Sequence, residues 1–211
     1  MAASTESTNL TNHFLIAMPG LQDATFAHSV VYLCEHSERG ALGLMINKQT
    51  DIDMQDLFER VELSLGRKDL TRQPVLRGGP VQTERGFVLH DVMRPQVLES
   101  AHPVDTDVEL DDPPTPYAST LSIPGGLEMT SSRDVLEALA HGSGPRRVMV
   151  MLGYAAWVGG QLESELADNA WLTVGADPDV IFDTPIAERY DRALALLGVN
   201  AWTLSPDAGR A

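Results

Sequence analysis

Residues 147–167, RVMVMLGYAAWVGGQLESELA, decide how the chain is read. Residues 148–152 are apolar without a break and of strand length, which predicts a central strand over 147–152. Gly153 interrupts the run, and Tyr154 and Trp157 then stand among small residues before the pair Gly159-Gly160. A short helix is expected over 161–167. A glycine-rich aromatic segment running directly into a helix either lines a pocket or wedges strand against helix. With Gln161, Glu163, Glu165 and Trp171 close by, a small-ligand cleft and core packing both fit it.

Outward from this stretch the chain alternates short strands and helices. Downstream, 171–174 reads as a strand, and Thr184-Pro185 opens a last helix that Gly198 stops. Upstream, Ser131 and Asp134 make a capping-box-like start for a helix whose buried face is Val135, Leu136 and Leu139. Residues 119–123 and 127–129 are strand candidates around Pro124-Gly125-Gly126. Residues 99–116 carry six acids and four prolines, the composition of a solvated excursion. Nearer the N-terminus, 14–18 is a buried strand closed by Pro19-Gly20. Residues 30–34 and 41–46 form a hairpin across the polar loop 35–40. Met54, Leu57, Phe58 and Val61 recur at helical spacing. Residues 74–77 and 86–90 are strand-like and flank the turn Gly78-Gly79-Pro80. No internal repeat is visible.

Composition narrows the function classes. The chain has 211 residues, 43% of them apolar, and a net charge of −15. An acidic surface repels phosphate backbones and anionic headgroups, which argues against direct nucleic-acid binding and membrane association. Arg60, Arg67, Lys68, Arg72, Arg77 and Arg85 form a locally basic stretch that reads as solvated loop charge. The first 12 residues lack the basic flank and apolar core of a secretory signal. The longest apolar run, 148–160, is about seven residues short of the roughly 20 that span a bilayer. A lone cysteine, Cys34, makes no internal disulfide. A cytoplasmic protein is expected.

Cys34-Glu35-His36 is the candidate reactive site. Strand alternation places Cys34 and His36 on one face and Glu35 on the other, and a neighbouring imidazole favours the thiolate. An isolated cysteine also serves commonly as a small core side chain. No metal and no cofactor are expected, because neither these residues nor His28 and His90-Asp91 repeat a closed ligand spacing. His141-Gly142-Ser143-Gly144-Pro145 lacks the nucleophile-elbow pattern. Glycine turns at Arg77-Gly78-Gly79 and 153–160 could cradle an anion through backbone N–H groups, or could serve close packing.

Taken in order, several short blocks resemble the bacterial YqgE/AlgH family. They are 14–19, Cys34-Glu35-His36, 43–48, 78–81, 87–90, Gly153-Tyr154-Ala155 with Trp157, Gln161-Leu162-Glu163 and Asn169-Ala170-Trp171. Ala156 and Val158-Gly159 depart from the glycines and the Gly-Pro pair common there. The resemblance implies an α+β fold in which a branched mixed β-sheet forms a pseudo-barrel flanked by helices. It implies a single domain over 13–204, between a disordered tail at 1–12 and a C-terminal tail at 205–211. It also implies a cytosolic bacterial protein without an established activity. The transcriptional-regulator label attached to one branch finds no helix-turn-helix with a basic face here.

The expectation is therefore a non-catalytic regulatory or interaction protein with an unidentified protein partner, sensitive to oxidation at Cys34 and linked indirectly to gene regulation. Its alternative is a small-ligand binder or enzyme using 153–163. The candidate ligand or interaction surface is Arg77, Gly78, Gly79, His90, Tyr154, Trp157, Gln161 and Glu163.

Overall fold

The structure is a computed structural model describing residues 9–93, 116–199 and 204. In order it contains β1 (His13–Ala17), β2 (Val30–Ser37), β3 (Gly40–Met45), β4 (Gln49–Asp53), α1 (Met54–Arg60), β5 (Pro74–Arg77) and β6 (Val81–Asp91). There follow β7 (Thr120–Ile123), β8 (Leu127–Thr130), α2 (Asp134–Ala140), β9 (Val148–Val158), α3 (Gln161–Ala167), β10 (Trp171–Gly175), α4 (Pro178–Phe182) and α5 (Arg189–Leu196). The strands make one curled sheet in the order β10-β1-β2-β3-β9-β6-β8-β7, with β4 and β5 branching from β9. The fold is α+β, a branched mixed sheet curled into a half-barrel and flanked by helices.

The central strand is longer than its glycine suggests. Gly153 does not end β9, and the aromatic segment through Val158 continues it. One edge of β9 pairs antiparallel with β6. The other edge pairs first with β5, parallel at Met151 and Leu152, and then with β3, antiparallel from Ala155 to Val158. The partner changes at Gly153, whose φ of +71° suits glycine. A Cβ on Gly79 would lie 2.1 Å from the backbone of Tyr154, and one on Gly78 would lie 2.2 Å from the Gly153 carbonyl oxygen. Strands can branch here because no side chain stands between their backbones.

β9 also feeds all three apolar clusters. Met149 and Met151 point into the curl, where Phe14, Tyr32, Leu44 and Phe87 are closed over by Val180, Ile181, Tyr190 and Leu194 from α4 and α5. Ala155 and Trp157 join Leu15, Val31, Leu33 and Met45 on the outer face beneath Leu162 of α3. Val148 and Val150 pack with Val75 and Val88 under α1 and α2. Period-two alternation, with the change of partner at Gly153, thus serves three cores along one strand.

Several expectations are corrected. Leu10 is buried and its N–H donates to His36, so the packed chain begins within the tail expected over 1–12. β4 was not foreseen, its polar sequence QTDID giving no strand pattern. β6 begins five residues before 86, with an irregular register between Val81 and Gly86. The capping box at Ser131 does not form. Ser131 N–H instead donates to Ser119 O, and the Asp134 carboxylate accepts from Ala118 and Val135 N–H. Pro185 precedes a single 3₁₀ turn, and the last α-helix starts only at Arg189. α4, capped by Asp177 ahead of Pro178, was missed although Asp-Pro is a helix-start signal. The excursion at 99–116 lies outside the described residues except Pro116, as does the tail at 205–211. No described helix is long and apolar enough to cross a membrane.

The glycine crossing is directly testable. Gly79→Ala is expected to lose about 3 kcal/mol or more of stability in urea unfolding, because the clash is with backbone. Gly86→Ala, where a Cβ meets nothing within 4 Å, is expected to be neutral or to gain about 0.4–1 kcal/mol.

Candidate functional site

The expected face assignment around Cys34 is overturned by a β-bulge. In the β2–β3 pairing Leu33 faces Gly43 and Glu35 faces Leu42, which leaves Cys34 as the extra residue. Alternation is reset there. Cys34 stays with Tyr32 inside the curl, while His36 pairs with Ala41 and turns to the outer face beneath α3. The Cys34 thiol is 1% exposed, and its sulfur donates weakly to Tyr32 O at 3.8 Å. Burial, with the nearby Glu35 charge second, pushes the thiol far above the ordinary cysteine range. The geometry thus holds the thiol protonated and enclosed, the opposite of an activated sulfur.

His36 instead fastens three segments together. Its Nδ1 accepts the Leu10 N–H at 3.0 Å, which leaves the ring proton on Nε2, and Nε2 donates to Glu163 Oε1 at 3.0 Å. Its own backbone N–H donates to Thr11 Oγ1. Beside it, the Glu165 carboxylate accepts from the indole N–H groups of Trp157 and Trp171 at 2.9 and 2.8 Å and from the Gln161 amide at 2.9 Å. Phe26 completes a ring cluster, edge-on to Trp171 and tilted against Trp157, while the two tryptophans meet edge-on. Shielded hydrogen bonds to a charged acceptor contribute about 1.5–3 kcal/mol each, and an exposed i,i+4 pair such as Gln161–Glu165 about 0.2–0.5 kcal/mol. These contacts dock α3 on the sheet.

Other candidates are not brought to this place. Tyr154, an odd number of residues from Trp157, points the other way and meets Phe87 edge-on at 5.3 Å. Gly78 N–H is already spent on Leu152 O, and Arg77 N–H on Lys48 O, so neither of these groups is free to cradle an anion. His90 is fully buried on β6 with Nδ1 on Asp91 O and Nε2 on Thr130 Oγ1. Facing it on β8 is Glu128, 3% exposed, whose Oε2 has no hydrogen-bond partner and lies 3.8 Å from His90 Nδ1. Burial lowers the His90 pKa and raises that of Glu128. Among the described residues no group of three or more His, Cys, Asp and Glu could hold a metal ion.

A pocket of ligand size was not foreseen. A pocket of about 250 Å³ opens where β5, the start of β9 and the α4–α5 region meet. It is lined by Leu70, Gln73, Pro74, Leu76, Arg146, Arg147, Val148, Met149, Phe182, Asp183, Ile186 and Arg189. Arg189 sits on the buried side of α5 with Tyr190, Ala193 and Leu194. Its Nε donates to Thr184 O at 3.0 Å, and Nη1 donates to Ile46 O and approaches the Met149 sulfur. Burial lowers its pKa to about 10. A cation on the apolar side of a helix was the available sequence signal.

The AlgH-like family pattern matches residues 14–202. The chain belongs to the AlgH-like family. It is 68% identical over the whole of both chains to a UPF0301 protein of Acidovorax sp. (strain JS42) and 64% identical, again end to end, to one of Variovorax paradoxus (strain S110). The solution structure of the AlgH protein from Pseudomonas aeruginosa superposes with a TM-score of 0.70 at 43% identity, with full coverage of both chains. A Corynebacterium diphtheriae crystal structure shares the fold at a TM-score of 0.62 and 18% identity, over 88% of this chain and 85% of that one. AlgH-like membership agrees with the resemblance seen in the short blocks, and none of these names states an activity.

Two outcomes test the assignments. Cys34 is expected to stay unmodified by an aromatic disulfide reagent at pH 8 in the native protein and to react fully in denaturant. A fast native reaction would contradict its burial. For Glu128, the folded chain keeps a proton at pH values where the unfolded chain has released it. The penalty therefore grows as pH rises from the ordinary value of 4.5 through the raised folded value. Glu128→Gln is expected to raise the urea midpoint relative to the parent at pH 8, and the gain should vanish below pH ~4.5.

Proposed function

We propose that this chain is a non-catalytic binding protein of regulatory type, which responds to a small ligand held in the pocket beneath Arg189. The supporting observation is the buried guanidinium: Arg189 is 5% exposed, lines the pocket, and has no carboxylate partner among the described residues. Charges are rarely enclosed without compensation, and a cavity beside one is where compensation can come from outside. The lining offers donors and apolar surface suited to holding a molecule. Its one carboxylate, Asp183, faces Arg147 at 3.7 Å.

The regulatory half of the reading rests on where the pocket lies. Its floor is β9 and its wall is the α4–α5 region, so a ligand bound between them stabilises that wall against the sheet. A protein partner that reads the wall, in a cytoplasmic setting, belongs to the same proposal. Oxidation at Cys34 does not, given the thiol's enclosure. The alternative site expected at 153–163 is replaced, since its Tyr154 and Trp157 point to opposite faces and serve packing.

A fragment library screened by NMR on methyl-labelled protein tests this. Saturable shifts are expected at Met149, Ile186 and neighbouring groups, without turnover of the bound compounds. Fragments that shift only the α3 face around His36, or a compound that is chemically converted, would overturn the reading.

A further inference from the structure

The arginines of the pocket differ in their electrostatic situation. Arg147 is held by Asp91, with contacts of 2.9 Å from Nη2 and 3.0 Å from Nε, and has Asp179 and Asp183 at 3.7 Å. It is neutralised and stacked over Phe182. Arg189 meets only the carbonyls of Ile46 and Thr184 and the sulfur of Met149. Those neutral acceptors satisfy N–H groups but leave the charge unmatched, and its Nη2 donates to nothing among the described residues. Arg146 lines the same pocket with an exposed guanidinium in no ion pair among the described residues.

Shape and charge limit the occupant. The pocket of about 250 Å³ lies just below the roughly 300–1,000 Å³ of ordinary ligand pockets, which favours a small occupant. Leu70, Leu76, Phe182 and Ile186 give it an apolar wall. Asp183 lines it as well and opposes a second negative charge. A planar guanidinium with a free edge matches a carboxylate better than a compact polyanion.

We propose that this pocket binds a small amphipathic monocarboxylate, with the carboxylate on Arg189, Arg146 at the mouth, and the apolar body against Leu70, Leu76, Phe182 and Ile186. This rests on the pocket being a ligand site, as proposed above, and adds the ligand's chemical class.

The test titrates the full chain with benzoate, benzamide and inorganic phosphate, following the Met149 and Ile186 methyl signals. Benzoate is expected to bind saturably and benzamide at least about tenfold more weakly, the difference made by a charge-assisted pair. Phosphate is expected not to displace benzoate. Arg189→Lys, which keeps the charge and loses the fork, should weaken benzoate about tenfold. Arg146→Gln, at an exposed position that leaves folding intact, should weaken it about two- to fivefold. Equal binding of benzoate and benzamide at these methyls would overturn the carboxylate assignment while leaving the pocket a ligand site. Phosphate binding more tightly than benzoate would overturn the amphipathic assignment. If none of the probes nor any library fragment reaches these methyls, the ligand-site reading itself falls.

Discussion

The backbones of Gly78 and Gly79 lie against Gly153 and Tyr154 so closely that no side chain fits between them, and the sheet's branching depends on that contact. Through it β9 exchanges β5 for β3 along one edge while keeping β6 on the other. The Met45 N–H to Gly78 O bond ties the two exchanging strands together. Everything that positions a site follows from this crossing. β9 reaches the curl, the α3 face and the α1–α2 face in turn, so each core is built partly from one strand.

The α3 face shows how a group of eye-catching residues can be spent on structure. His36, Trp157, Gln161 and Glu163, together with Glu165 and Trp171, dock a seven-residue helix and the segment around Leu10 onto the outer sheet. So short a helix has little stability of its own, and packing must supply it. The Cys34 bulge belongs to the same design, because it turns His36 outward to meet Glu163 and leaves the thiol in the core.

The opposite end of β9 concentrates charge instead. Arg146 and Arg147 open the strand, α4 brings Asp179 with Asp183 at its end, and α5 buries Arg189 beside Met149. One arginine is matched by carboxylates and another is matched only by carbonyls. That imbalance, beside a cavity, distinguishes this place from the satisfied network under α3. The buried Glu128 beside His90 is a second imbalance, set within the α1–α2 core rather than beside a described opening.

By itself the sequence determined the acidic balance, most of the strands and helices and the hairpin after Val30, because turn residues and local periodicity act over a few positions. Quoted in order, its short blocks were also enough to indicate the AlgH-like family. Only the tertiary structure decided which side chains share a face and which charges meet. The Cys34 bulge is a mismatch of register between β2 and β3, invisible in β2 alone, and it reverses the faces of Glu35 and His36. The state of Arg189 depends on Ile46, Met149 and Thr184, brought together by strand pairing and helix packing across more than a hundred residues of chain. Alternation rules read one strand at a time, whereas burial of a charge is a property of everything packed around it.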